Sequence, residues 1–86
     1  MYLETIIVPN KTGLHARPAS DLAKECKQYE SEIELINGDK VINAKSIIGL
    51  LSGGIKQYTE IQIRTEGADE EIAGPAIAEF IRRLKD

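Results

Sequence analysis

Eighty-six residues, 42% hydrophobic and 29% charged, can build one small core and leave no room for a second. Eleven basic against 14 acidic side chains give a formal charge of −3, which argues against nucleic acid or anionic lipid held through net charge. One cysteine and one histidine cannot complete a zinc site of the usual Cys/His kind, or a disulfide, within one chain, so no metal and no cofactor are expected.

The chain opens Met-Tyr-Leu-Glu-Thr-Ile-Ile, with no basic stretch before an apolar one. Nowhere do roughly eighteen apolar residues run together, so the expected setting is the reducing cytoplasm, without membrane insertion. Residues 2–8 read as a strand, stopped by Pro9-Asn10-Lys11-Thr12-Gly13; which face is buried stays open. From Ala16 the period changes. Ala19, Leu22, Ala23 and Cys26 fall on one face of a helix, and Asp21, Lys24, Glu25 and Lys27 on the other. Glu32–Ile36 alternates, and Asn37-Gly38 signals a tight turn into Val41–Asn43, hence a hairpin. Ser46 is a good N-cap for a two-turn helix through Ile47, Ile48, Leu50 and Leu51, ended by Gly53-Gly54. Glu60–Thr65 alternates again and closes at Glu66-Gly67-Ala68. The stripe Ala73, Ala76, Ile77, Phe80, Ile81, Leu84 makes a last helix, with Asp69 as its N-cap, acids in its first turn and bases near its end. Pro75 predicts that this helix either kinks or starts later than Asp69. The order βαββαβα, with one apolar face per helix, predicts an α+β fold: a four-stranded antiparallel sheet covered by three helices on one face. Its strand order does not follow from the pattern.

The only histidine lies in Gly13-Leu14-His15-Ala16-Arg17-Pro18-Ala19. Pro18 belongs in a first helical turn, which places His15 or a neighbour at the N-cap, with its ring over backbone N–H groups that have no helical partner. Those donors, the positive end of the helix dipole and the guanidinium of Arg17 make a cradle for a dianion on or beside the imidazole. A neutral imidazole keeps one nitrogen lone pair that can attack phosphorus, giving phosphohistidine. The alternative is a plain capping histidine next to a solvated arginine. Cys26 sits on the apolar stripe and reads as a core residue. Gly53-Gly54 lacks the Lys-Ser/Thr of a phosphate loop, and Tyr2, Tyr29 and Tyr58 are too dispersed to stack bases.

Gly13–Ala19 resembles the active-site motif of HPr, the histidine-containing phosphocarrier family of the bacterial phosphoenolpyruvate-dependent sugar phosphotransferase system. Asn43-Ala44-Lys45-Ser46-Ile47-Ile48-Gly49-Leu50-Leu51-Ser52 resembles that family's regulatory-serine segment. With the length and element order, the resemblance spans residues 1–86. It implies one domain, an open-faced β-sandwich, acting as a monomeric carrier and not as an enzyme. His15 would be phosphorylated at Nδ1 by enzyme I and would donate to sugar-specific IIA components, with Arg17 stabilising the phosphoryl oxygens. It further implies that Ser46 is open to a serine kinase and phosphorylase, with a transcriptional regulator reading the product. The docking surface would be apolar at Ile47, Ile48 and Leu51 and ringed by Lys24, Lys27 and Lys45.

On physical grounds, a phosphate at the Ser46 N-cap sits where the helix dipole tolerates it, so its effect would fall on partners more than on folding. Ile48 and Leu51 stand where the family often has Met, Asp21 adds a negative charge to the docking helix, and Pro75 is unusual. A second reading is a regulatory binding module acting mainly through phosphorylated Ser46; a third is an inert α+β interaction domain.

Overall fold

The computed structural model describes residues 1–85 and orders them as β1 (Tyr2–Ile7), α1 (Ala16–Cys26), β2 (Glu32–Asn37), β3 (Lys40–Asn43), α2 (Ile47–Ser52), β4 (Glu60–Glu66) and α3 (Glu70–Arg82). The strands pair antiparallel in the order β1-β4-β2-β3. The last strand therefore enters between the first two, and each half of the chain contributes to the centre of the sheet.

Alternation decides which face is covered. Ile6 in β1, Ile33 and Leu35 in β2, Ile42 in β3, and Ile61, Ile63 and Thr65 in β4 are buried. Leu3, Ile7 and Val41 remain exposed on the other face, which no helix covers. This resolves the open question about β1: Tyr2, Glu4 and Ile6 point to the helices. Regular pairing stops at Ile7, but Val8 still exchanges backbone bonds with the 58–59 segment, its N–H donating to the Thr59 carbonyl at 3.0 Å.

The α1 stripe behaves as its period requires, with Ala19, Leu22, Ala23 and Cys26 all buried. A fully buried leucine such as Leu22 contributes about 1.5–3 kcal/mol over an exposed one. α1 packs against α2 and α3, α3 lies on β1, β2 and β4, and α2 meets β3. Gly74 permits the closest of these approaches, since a Cβ there would run into the Tyr2 ring. The Tyr2 hydroxyl donates to Glu4, which also takes a hydrogen bond from Arg82, so one carboxylate ties β1 to the end of α3. The Tyr2 hydroxyl first, and Arg82 second, hold the Glu4 carboxyl below its ordinary pKa.

Two local expectations are corrected and one alternative is excluded. The hairpin connection is Gly38-Asp39, one residue later than the Asn37-Gly38 signal, because Asn37 still pairs with Lys40. α3 does not start late: it begins at Glu70, directly after Asp69, and runs through Pro75, which is exposed. Pro75 has no N–H to give the Glu71 carbonyl, and the buried Ala73, Ile77, Ala78 and Ile81 hold the helix across that gap. Asp69 occupies the N-cap position but makes no side-chain bond to α3; its carboxylate is turned to the segment ahead of β2.

Candidate functional site

His15 is set by the loop before it. Gly13 has φ +63°, and a Cβ there would collide with the Ile55 carbonyl and come within 2.7 Å of the Lys56 Cα, so only glycine fits without a shift. The Leu14 N–H donates to that same Ile55 carbonyl at 3.1 Å, and the Asn10 Nδ2 donates to the Gly13 carbonyl at 2.6 Å. Leu14 is 1% exposed and anchors the loop in the core. The chain thus reaches His15 on a braced support.

His15 is the N-cap of α1, in extended conformation at φ −130°, ψ 156°, and its side chain makes no cap hydrogen bond. The imidazole is exposed, and so is Arg17, while Pro18 is buried in the first turn. The ring therefore stands at the electropositive mouth of the helix without being used by it. Between His15 and Arg17, Ala16 has φ +48°, a left-handed conformation that costs a residue with a Cβ roughly 1–2 kcal/mol. The turn that presents His15 is strained and is held by the packing on either side.

Beside the imidazole lies an open depression of about 270 Å³, lined also by Thr12, Leu14, Leu51, Ile55 and Lys56. α2 reaches this depression through Leu51. Its buried residue is Leu50, whereas Ile47, Ile48 and Leu51 are 40%, 79% and 41% exposed. That split is what the spacing predicts for a six-residue helix with one face on the core, and it puts an apolar patch next to His15. At the start of α2 the Ser46 Oγ accepts the Gly49 N–H at 3.0 Å, as an N-cap should. Lys24 on α1 and Lys27 at its C-cap are exposed. Lys45 differs: it is half-buried and its Nζ donates to the Tyr29 carbonyl at 2.7 Å, tying the approach to α2 to the end of α1.

Cys26 is fully buried, and burial pushes its thiol up to about 12, so it stays a protonated core residue. No group of side chains among the described residues could hold a metal ion, and no helix among them is long and apolar enough to cross a membrane. Thr12, Ile55 and Lys56 are site neighbours that sequence reading does not reveal. The one available signal is Gly13, whose missing Cβ marks a close backbone approach without saying from where.

Residues 3–83 match the family model "PTS HPr component phosphorylation site". The chain is 40% identical over 85 residues to the phosphocarrier protein HPr of Buchnera aphidicola subsp. Baizongia pistaciae, covering 99% of this chain and 100% of that one. It is 44% identical over 79 residues to HPr of Mycoplasma pneumoniae, 91% of this chain and 90% of that one. Among solved structures, HPr-C-His from Thermoanaerobacter tengcongensis superposes with a TM-score of 0.91 at 40% identity, over 95% of this chain and 92% of that one. With the open sheet, the exposed histidine at the N-cap position of α1 and these likenesses together, the chain belongs to the HPr family and is a phosphocarrier, not an enzyme, of the phosphotransferase system.

Proposed function

We propose that this carrier takes its phosphoryl group on His15, receives it from enzyme I and passes it to sugar-specific IIA components, working as a cytoplasmic monomer in which residues 1–86 form one domain. The observation that supports this most is the placement of His15: an exposed imidazole at the N-cap of α1 that makes no cap bond of its own. A lone pair on Nδ1 attacks phosphorus. The new N–P bond forms as the bond from phosphorus to the donor breaks, and the electron pair of that bond leaves with the donor. Donation to the next component is the same displacement with the acceptor as nucleophile. The Arg17 guanidinium, exposed two residues on, offers paired N–H donors to the phosphoryl oxygens as they reorganise.

Docking follows from the neighbouring surface. Ile47, Ile48 and Leu51 supply the apolar centre, and Lys24 and Lys27 a basic rim suited to the acidic surface of enzyme I. Lys45 belongs to that rim with its ammonium already tethered to Tyr29. A phosphate placed on Ser46 by a serine kinase would put a dianion at the edge of this patch, repelling enzyme I and offering a transcriptional regulator something to read.

The test is labelling with phosphoenolpyruvate and enzyme I. The expected product is an acid-labile, base-stable phosphate that is absent from His15→Ala. Labelling that persists in His15→Ala overturns the assignment. An acid-stable phosphate obtained only with ATP and a serine kinase, and lost in Ser46→Ala, would favour the regulatory module instead.

A further inference from the structure

We propose that Lys56 is a second cation of the phosphoryl site, beside Arg17, and that it shifts the loading equilibrium toward the phosphorylated form. This rests on the reading of His15 as the acceptor. Lys56 lies far from His15 in sequence, but the fold brings its backbone against the loop that carries the histidine. Its Cα lies 2.7 Å from where a Gly13 Cβ would stand, the adjacent Ile55 carbonyl accepts the Leu14 N–H at 3.1 Å, and its own N–H donates to the Thr59 Oγ1 at 3.0 Å. The main chain at 56 is thus fixed with respect to His15, while the side chain lines the same depression and is exposed.

Among the described residues no carboxylate pairs with Lys56, and none pairs with Arg17. Two cations without a carboxylate partner near one imidazole, one from the first turn of α1 and one from the segment between α2 and β4, suit a tetrahedral dianion better than either alone. Arg17 is a rigid fork, and Lys56 is a point charge on a flexible stem that can follow the group as it arrives and departs. Because the ammonium meets the phosphate after its attachment, it favours the loaded carrier over the free one. It also makes the phosphoryl group slightly harder to give away.

The experiment measures the equilibrium fraction of phosphohistidine against the ratio of phosphoenolpyruvate to pyruvate, with catalytic enzyme I, for the wild type, Lys56→Met, Lys56→Arg and His15→Ala. Lys56→Met keeps the stem and removes the charge. Its loading constant is expected to fall roughly two- to fivefold at low ionic strength, with Lys56→Arg close to the wild type. The gap should close in high salt, which a purely structural role would not cause. Equal loading constants for Lys56→Met and the wild type at low salt overturn the role of Lys56 while leaving His15 intact. A wild type that takes no acid-labile phosphate, or a His15→Ala variant that does, overturns both.

Discussion

Asp69 stands at the N-cap of α3, yet its carboxylate serves Ser31: it accepts the Ser31 N–H at 2.9 Å and the Ser31 hydroxyl, and its other oxygen accepts the Glu30 N–H at 2.9 Å. Ser31 is 1% exposed, so the segment that leads from α1 into β2 is fastened to the start of α3 by a carboxylate at the edge of the core. The Ser31 hydroxyl first, then the Glu30 N–H, hold the Asp69 carboxyl below its ordinary 3.8. A folded value below the unfolded one means that this stabilisation is complete above the unfolded value and disappears as pH falls through the folded one. Asp69→Ala should therefore melt lower than the wild type at pH 7, with the gap shrinking below about pH 4. Thermal denaturation followed by circular dichroism over that range tests it, and a gap that does not change with pH would rule the linkage out.

Gly13→Ala strikes the support of His15. The new methyl must displace the Ile55 carbonyl or the Lys56 backbone, and with them the bond from the Leu14 N–H. We expect a loss of about 1–3 kcal/mol in denaturant unfolding, the usual cost of forcing extra volume into packed surroundings. Acceptance of phosphate should slow as well, because the loop carries the imidazole. A variant of unchanged stability would show that the loop yields freely.

What local rules could see, they saw well. The α1 stripe, the Ser46 cap and the burial of Leu50 beside exposed Ile47 and Ile48 depend on residues within two turns of one another, and His15 and Arg17 are neighbours in the chain. The failures share a different cause. A cap rule gives Asp69 to its own helix because Ser31 is invisible at that range; a proline rule that allows α3 a later start omits the tertiary burial of Ile77 and Ile81; and nothing near Lys45 in the chain announces the Tyr29 carbonyl that its ammonium meets. Lys56 comes to the depression beside His15 only through the fold, and the place of β4 between β1 and β2 is a long-range pairing that no strand pattern records.

Ala16→Gly should stabilise the chain. At φ +48° the Cβ is the source of strain, and glycine removes it at the expense of a freer unfolded chain, for a net gain of up to about 1 kcal/mol. In a domain of this size that raises Tm by about 4–8 °C at most. If the strain serves presentation of His15, the same variant should accept phosphate more slowly. A lower Tm in calorimetry would mean that the left-handed conformation at Ala16 carries no strain.

Ser46→Ala removes the acceptor of the Gly49 N–H and should cost about 1 kcal/mol in urea unfolding. Ser46→Asp keeps an acceptor at the cap and adds a charge that the helix dipole favours, so it should unfold at or above the wild-type midpoint. It should nevertheless bind enzyme I more weakly, since the added charge lies by Ile47 on the docking side. Equal loss of stability in both variants would show that the hydroxyl is not an effective cap.

Ile48 is 79% exposed and Leu51 41%, whereas Ile72 on α3 is 68% exposed and lies on another helix. Apolar exposure alone therefore does not single out the docking face; closeness to His15 does, through the depression that Leu51 shares with it. Placing a carboxylate at Ile48 or Leu51 would bury a charge at the centre of the proposed contact, facing an acidic partner. Each of Ile48→Asp and Leu51→Asp should weaken binding to enzyme I by about tenfold or more, a loss of at least about 1.4 kcal/mol. Ile72→Asp adds the same charge and should leave the affinity within about twofold, since a long-range charge effect is screened beyond about 10 Å in ordinary salt. Titration calorimetry on the three variants separates local docking from net charge: equal weakening by all three would assign the effect to charge and remove the α2 patch from the interface.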